Sequence, residues 1–436
     1  MCHLFVLYPL PDTCTPSLIV GWSNSRITVS VTNALPAWCS YSGVACNGNT
    51  LSPAYGSVIG ITASLSATTD GTLPSTIGNF PNLVDLTLKS QRLTSTIPDT
   101  IGLLINLLRL NLDLNKLRGT LPPTIGSLTK LSTLNLSFNS LTGSLPNTIG
   151  FMSSLQYIFF QGNQLDGTLP NTIGSLVNLV SLYLYNNKIG GTLPLTIGSL
   201  SKLQSMNMYS NLLTGTIPDT IGSMTSMTGI DFSGNKLSGT LPSAIGLVIN
   251  LLRLDLSSNK LRGTLPPTIG SLTNLQYIYM SNSLTGSLPN TIGFMSSLQL
   301  IHLSSNQLDG TLPNTIGSLT NLVGLYLYNN KIGGTIPTTF SQLVRLNEFI
   351  LQTNYLTMGT ALTVPTSTFS PLTLDFLGNA RGSGALADNC LAFSYGTTSV
   401  TATHCLISES HIIFQCIMRQ HVLFLPSYSM TIMMNN

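Results

Sequence analysis

LLRLDLSSNKLRGTLPPTIGSL, from Leu251 to Leu272, contains the rule that orders most of this chain. Leu251, Leu254, Leu256, Asn259, Leu261, Gly263, Leu265, Pro266, Ile269, Gly270 and Leu272 mark the pattern L-x-x-L-x-L-x-x-N-x-L-x-G-x-L-P-x-x-I-G-x-L. Its x-L-x-L-x core alternates as a strand with one buried face does, and it is too short for a hydrophobic helix. Glycine relaxes the following turn, and proline permits only an extended approach with no donated backbone hydrogen bond. The P-x-x-I-G stretch predicts one tight helical turn ended by glycine.

Outward from this unit, the proline of the LP or IP pair recurs at Pro74, Pro98, Pro122, Pro146, Pro170, Pro194, Pro218, Pro242, Pro266, Pro289, Pro313 and Pro337. Every interval is 24 residues except Pro266 to Pro289, which is 23. The missing residue lies in YMSNSL, where one position instead of two separates Met280 from Asn282. One unit cannot bury its own leucines, so units must stack into a continuous parallel sheet with strands about 4.8 Å apart. Strands are expected to start near Leu83, Leu107, Leu131, Leu155, Leu179, Leu203, Met227, Leu251, Leu275, Leu298, Leu322 and Leu346. The asparagine column from Asn115 to Asn354 turns inward where the chain leaves the strand, and its amides can satisfy backbone groups orphaned by the bend. Gln91 replaces it in the first unit, which predicts a less regular start.

At 436 residues an ordinary chain would hold two or three domains, but a repeat array makes one body of any length. Only 7% of residues are charged, against about 25% in typical soluble domains. The polar surface is therefore built from Ser, Thr, Asn, Gln and Gly. A net charge of +3, with no Lys/Arg cluster, argues against nucleic acid as a partner. The seven cysteines are Cys2, Cys14, Cys39, Cys46, Cys390, Cys405 and Cys416, all outside the regular region. Cysteines confined to the ends of an array suggest disulfide-stapled caps and an oxidising compartment. The rival, a zinc site, finds the wrong spacing in CSYSGVAC and no His beside it.

The repeat resembles the plant-type leucine-rich repeat (LRR) of 24 residues, in which G-x-I/L-P follows the asparagine turn, over roughly Val58 to Leu356. AWCSYSGVACNGN is similar to the N-terminal cap of such ectodomains, where C-x-W-x-G-V-x-C precedes the first strand. Tyr41 stands in place of the family tryptophan, with Trp38 just before Cys39. Leu372 to Cys405 resembles a C-terminal cap, and the Ser/Thr/Asn surface resembles protozoan LRR surface antigens. The resemblance implies an α/β repeat fold, a right-handed leucine-rich-repeat solenoid with a concave parallel β-sheet. It also implies caps closed by Cys39–Cys46 and Cys390–Cys405. The expected domains are a leader at 1–36, a cap and first half-repeat at 37–82, the array at 83–356, a C-terminal cap at 357–405 and an apolar tail at 406–436.

MCHLFVLYPLPDTC makes a poor signal peptide, because its apolar run is short, holds two prolines and has no Lys or Arg before it. Either part of the true N-terminus is missing or secretion is not encoded here. In the tail, Arg419, His421 and Pro426 interrupt an otherwise apolar stretch, and a mid-bilayer Arg costs about 2.5–3.5 kcal/mol on insertion scales. Membrane association is left to a missing or separate anchor.

If the leucines face inward, the intervening positions face solvent on the concave sheet. Tyr183 and Tyr185 then stand on one strand, with Tyr157 and Phe159 before them and Tyr209 after. A second group comprises Tyr277, Tyr279, His302, Tyr326 and Tyr328. Aromatics favour strands and pair across them, which explains part of this. Exposed tyrosine also supplies the amphipathic area enriched at binding hot spots.

An internal copy supports the second reading, and drift at unconstrained exposed positions is the alternative that would leave the same pattern. Ile101 to Leu128 recurs as Ile245 to Leu272, six units on. SLQYIFFQGNQLDGTLPNTIGSL matches SLQLIHLSSNQLDGTLPNTIGSL almost everywhere except at the strand. There Tyr157, Phe159, Phe160, Gln161 and Gly162 meet Leu300, His302, Leu303, Ser304 and Ser305, and four of the five pairs are expected to face solvent.

No catalytic constellation, cofactor motif or metal spacing is legible. The histidines (His3, His302, His404, His411, His421) lack metal-binding spacing, GNARGSGAL lacks the strand–helix context and lysine of a phosphate loop, and kinase signatures are missing. Asp231 and Asp255 are adjacent on the sheet, but nothing marks either as a tuned acid. The sequon Asn135-Leu136-Ser137 falls on the concave strand, where a glycan would obstruct binding. The expected function is non-enzymatic recognition, on the cell surface or secreted, of a protein, peptide or carbohydrate ligand. The alternative is a structural surface coat or adhesin with no specific ligand.

Overall fold

The computed structural model describes residues 70–357 continuously, together with short strands at 27–30, 45–46, 58–63, 362–363, 373–375, 392–395, 398–401, 406–408 and 411–413. Cys39, Cys390, Cys405 and GNARGSGAL lie outside the described residues, and so therefore do the two expected disulfides. The chain divides into two compact units, Met1–Met227 and Thr228–Asn436.

In the first unit, strands Val58–Ala63, Asp85–Thr87, Arg109–Asn111, Thr133–Asn135, Tyr157–Phe159, Ser181–Tyr183 and Ser205–Asn207 pair in parallel, in sequence order. Ile27–Ser30 and Ala45–Cys46 pair antiparallel with Val58–Ala63. In the second unit the parallel order is Gly229–Asp231, Arg253–Asp255, Tyr277–Tyr279, Leu300–His302, Gly324–Tyr326, Glu348–Ile350 and Thr373–Asp375. Each expected strand starts two residues later than the sequence suggested, at Arg109 rather than Leu107, for example. The Leu107 N–H donates to Leu104 O at 2.9 Å, so the first leucine of each unit still closes the preceding turn.

The leucine columns form the core. Leu107, Leu110, Leu112, Leu117, Ile125 and Leu128 are all fully buried. Opposite the strands each unit makes a five-residue 3-10 helix such as Asn147–Phe151, entered from Pro146 in extended conformation (φ −68, ψ 143). The helix runs one residue past Gly150, so glycine does not end it as expected. The cause is proximity: a Cβ added at Gly150 would lie 2.5 Å from the backbone oxygen of Thr172 in the next unit. Thr172 Oγ1 fastens the same two turns by donating to Asn147 O at 2.7 Å.

The asparagines act as cross-braces. Asn163 Nδ2 donates to Leu136 O and Phe160 O, both at 3.0 Å, and its Oδ1 accepts the Leu141 N–H at 3.0 Å. One side chain thus supplies three partners to buried backbone groups of two neighbouring units. The residue before each asparagine takes a left-handed conformation, as at Leu114 (φ 55), Phe138 (φ 52) and Gly162 (φ 68). The shortened unit lacks this residue. Its Asn282 still donates to Leu256 O of the preceding unit at 2.9 Å, and Asn306 of the next unit makes the same brace to Met280 O, at 2.6 Å. Gln91 is buried between two left-handed residues, Ser90 (φ 55) and Arg92 (φ 53), and donates to Lys89 O at 2.7 Å, an irregular start as the sequence predicted.

Candidate functional site

Strand alternation sets the outward face. Within Tyr157–Phe159, Ile158 is buried and the two rings leave the core; Leu182 and Leu184 likewise alternate with Tyr183 and Tyr185. All ten nominated side chains are half-buried rather than fully exposed.

In the first unit Phe159 pairs in register with Tyr183. Tyr157 stacks on Phe159 (centroids 6.2 Å, 22°), and Phe159 tilts against Tyr183 (5.3 Å, 56°). Tyr183 contacts Tyr185 (6.5 Å, 47°), which stacks on Tyr209 (4.9 Å, 17°). Five rings therefore form one continuous row. Asn186 Nδ2 donates to Tyr209 Oη at 2.8 Å and anchors its end. Burial, then the charges Tyr209 and Tyr183 would carry, push the Tyr185 hydroxyl above its ordinary pKa. The other outward positions around the row include Thr133, Asn135, Gln161, Ser181, Ser205 and Asn207, all uncharged.

The second unit centres on His302. Its ring meets Tyr279 edge-on (6.1 Å, 76°), Tyr326 at a tilt (5.2 Å, 57°) and Tyr328 (6.0 Å, 42°). Gly324 leaves room for Tyr326, since a Cβ there would meet the ring at 2.9 Å. Tyr277 does not join this cluster; its hydroxyl donates to Gln299 Oε1 at 3.0 Å. Ser304, expected to face solvent, is only 1% exposed, and its Oγ lies 2.7 Å from His302 Nε2. Phe160 and Leu303 are buried, as their leucine positions require. Burial holds the His302 ring below its ordinary pKa, and the nearby Asp255 charge opposes that shift.

Beside this cluster Asp231 and Asp255 pair in register. The Arg253 guanidinium sits 4.6 Å from the Tyr279 ring centroid and 3.0 Å from Asp255 Oδ2. Burial raises the Asp255 pKa, the Ser257 backbone N–H lowers it, and Asp231 raises it further. In the first unit the charges are locally neutralised: Lys89 lies 3.0 Å from Asp113 and Arg109 lies 3.6 Å from Asp85. In the sequon, Asn135 Oδ1 accepts the backbone N–H (3.1 Å) and hydroxyl (2.7 Å) of Ser137, and Asn135 pairs in register with Phe159. Among the described residues no group of three His, Cys, Asp or Glu side chains could hold a metal ion. Sequence reasoning missed Asn186, Gln299, Ser304 and the Arg253–Tyr279 contact. Strand register would have found none of them, since it sets Arg253 opposite Tyr277 and Asp255 opposite Tyr279.

Stacked strand and 3-10 units, braced by asparagine over an apolar core, define an α/β solenoid of the binding-scaffold kind. The leucine-rich repeat family matches residues 106–128, 130–152, 154–176, 178–200, 202–224, 250–272, 297–319 and 321–343. The chain belongs to the leucine-rich repeat family, and it resembles the plant receptor-like members. The plant peptide hormone receptor RGFR1, solved in complex with RGF2, is 38% identical, with a TM-score of 0.65 over 66% of this chain and 46% of that one. The PEPR1–AtPEP1 structure is 30% identical, with a TM-score of 0.58 over 68% of this chain and 45% of that one. An LRR protein of Leptospira interrogans is 33% identical, with a TM-score of 0.56 over 69% of this chain and 76% of that one. The chain thus spans about half the length of the plant receptors it matches. No curated protein sequence matches it.

Proposed function

We propose that this is a non-enzymatic recognition protein of the cell surface or extracellular space, binding a protein or peptide ligand on the outward strand face. The observation that carries the reading is the continuous uncharged row from Tyr157 through Phe159, Tyr183 and Tyr185 to Tyr209. Rings prepacked on one another offer contact area without losing much side-chain entropy on binding. A contiguous aromatic surface invites association unless a partner covers it. The likeness to the peptide hormone receptor RGFR1, solved in complex with RGF2, and to PEPR1, solved with AtPEP1, favours a peptide over a glycan. Tyr279, His302, Tyr326 and Tyr328 form a second contact region, with Tyr277 at its margin.

Panning a displayed random-peptide library against the full chain tests this. Selected peptides should bind the Tyr183→Ala/Tyr185→Ala variant about tenfold or more weakly, as for hot-spot rings. A passive coat or adhesin predicts that no specific peptide emerges, or that the variant binds every selected peptide normally; either result overturns the proposal.

A further inference from the structure

The internal duplication placed a histidine where its counterpart has a phenylalanine, and the ring geometry survived. Phe159 meets Tyr183 at 5.3 Å and 56°, while His302 meets Tyr326 at 5.2 Å and 57°. The two sites thus differ in chemistry rather than shape. His302 has two nitrogens, and they are not equivalent. Nε2 faces Ser304 Oγ at 2.7 Å, and the buried Ser304 hydroxyl has Ser281 Oγ as its other neighbour, at 3.4 Å. A separation of 2.7 Å suits a hydroxyl donor, whereas a ring N–H donor prefers about 2.9–3.0 Å. With the Ser304 O–H as donor, the arrangement this separation fits better, the proton of the neutral ring sits on Nδ1. Among the described residues Nδ1 has no hydrogen-bond partner, and it is open at the outward face.

We infer that His302 sets the ligand chemistry of the second unit: its Nδ1–H donates to a neutral acceptor, such as a peptide carbonyl, of a segment lying across Tyr279, Tyr326 and Tyr328. The first unit offers no such donor at the matching place, because Phe159 stands there. The inference rests on the proposed recognition role of the strand face. It favours a neutral acceptor over a carboxylate because Asp255 and Asp231 lie on the same side. The groups facing His302 are Tyr279 from the preceding strand and Tyr326 and Tyr328 from the following one; Asp255, paired with Arg253, lies two strands away.

The sign of the pH response follows. An acceptor bound at Nδ1–H gains when the ring becomes a cation, so binding raises the His302 pKa and tightens as pH falls. A ligand that merely covered the ring would bury it further, and its binding would weaken on acidification.

The test has two arms on the full chain. In the unliganded protein, nitrogen NMR of labelled histidines, assigned with His302→Phe, should show the Nδ1–H tautomer at pH 7.5; the Nε2–H tautomer overturns the inference. For panned peptides whose binding needs Tyr326, affinity should rise about fivefold between pH 7.5 and 5.5, the scale separating neutral from charge-assisted hydrogen bonds. His302→Phe should abolish that rise, and Phe159→His should confer it on peptides that need Tyr183. Weakening on acidification, or a rise that persists in His302→Phe, overturns the inference while leaving recognition itself intact. If no peptide binds, recognition is what fails, and the tautomer arm still decides the state of His302.

Discussion

Leu155–Leu165 and its copy Leu298–Leu308 differ mostly at alternate strand positions and keep the same inward column apolar. Ile158 and Ile301 are both buried, as are Phe160 and Leu303, and each unit closes through an asparagine that bonds two carbonyls. On the outward face Phe159 becomes His302, and Gln161 gives way to the buried Ser304, yet the distance and tilt to the next strand's tyrosine scarcely change. Backbone register, not the identity of the ring, therefore sets how neighbouring rings meet. Chemistry can change on this scaffold without changing geometry.

Paired substitutions in the two copies can break or sharpen that conclusion. The largest effect belongs to the core: Leu182→Ala and Leu325→Ala, both fully buried, should each cost about 2–5 kcal/mol. Their costs should agree within about 1 kcal/mol in denaturant unfolding, since the cavities are equivalent; a larger gap means that the copies are packed differently. Next come Gly174→Ala and Gly317→Ala, where an added Cβ would strike the backbone oxygens of Thr196 and Thr339. Each should lose about 1–3 kcal/mol through overpacking, and an unchanged melting temperature in either would show that the turns can separate freely.

The outward face should then part the copies. Tyr185→Ala loses a stacked ring partner at 4.9 Å, whereas among the described residues the ring partner of Tyr328 is the more distant His302, at 6.0 Å. A cost of about 0.5–1.5 kcal/mol for Tyr185→Ala is the scale of an aromatic pair. For Tyr328→Ala the cost should be about 0.5 kcal/mol or less. Equal losses in thermal unfolding would mean that the first unit's row is no better consolidated than the second's cluster.

The smallest effect is at Asp255. Its carboxyl has a raised pKa in the fold, with burial the leading cause, so ionising it opposes folding. That penalty is absent below the unfolded value and grows as pH rises from about 4 through the folded value. Asp255→Asn should flatten that decline while shifting stability at pH 7 by about 0.5 kcal/mol or less. A steeper decline in the variant would instead make the bond to Arg253 the dominant effect.

The fold was legible because one period repeats its constraints. Leucine alternation, the proline spacing and the asparagine column each mark the same backbone events, and the structure places strands, turns and braces accordingly. The glycine of the helical turn was misread, because a single unit does not show the Thr172 oxygen packed against Gly150. The site was legible at the level of register: Phe159 beside Tyr183 and Tyr185 beside Tyr209 follow from counting. Side-chain rotation was not. It turned Tyr277 toward Gln299 and brought His302 over Ser304, choices that depend on local hydrogen bonds rather than on spacing.

The asparagine braces also bear on how such a gene can change length. Between regular units each such brace joins residues 22 or 27 positions apart, so inserting or deleting a whole 24-residue unit restores every bond with a new partner of the same kind. Unequal recombination between repeats in frame with the period would yield a folded chain at once, and the six-unit copy has the form of such an event. A single lost codon is different, because it shifts one face into the core. The shortened unit shows where such a loss is absorbed: at the left-handed corner before Asn282, after the strand has ended and before the next leucine commits the register.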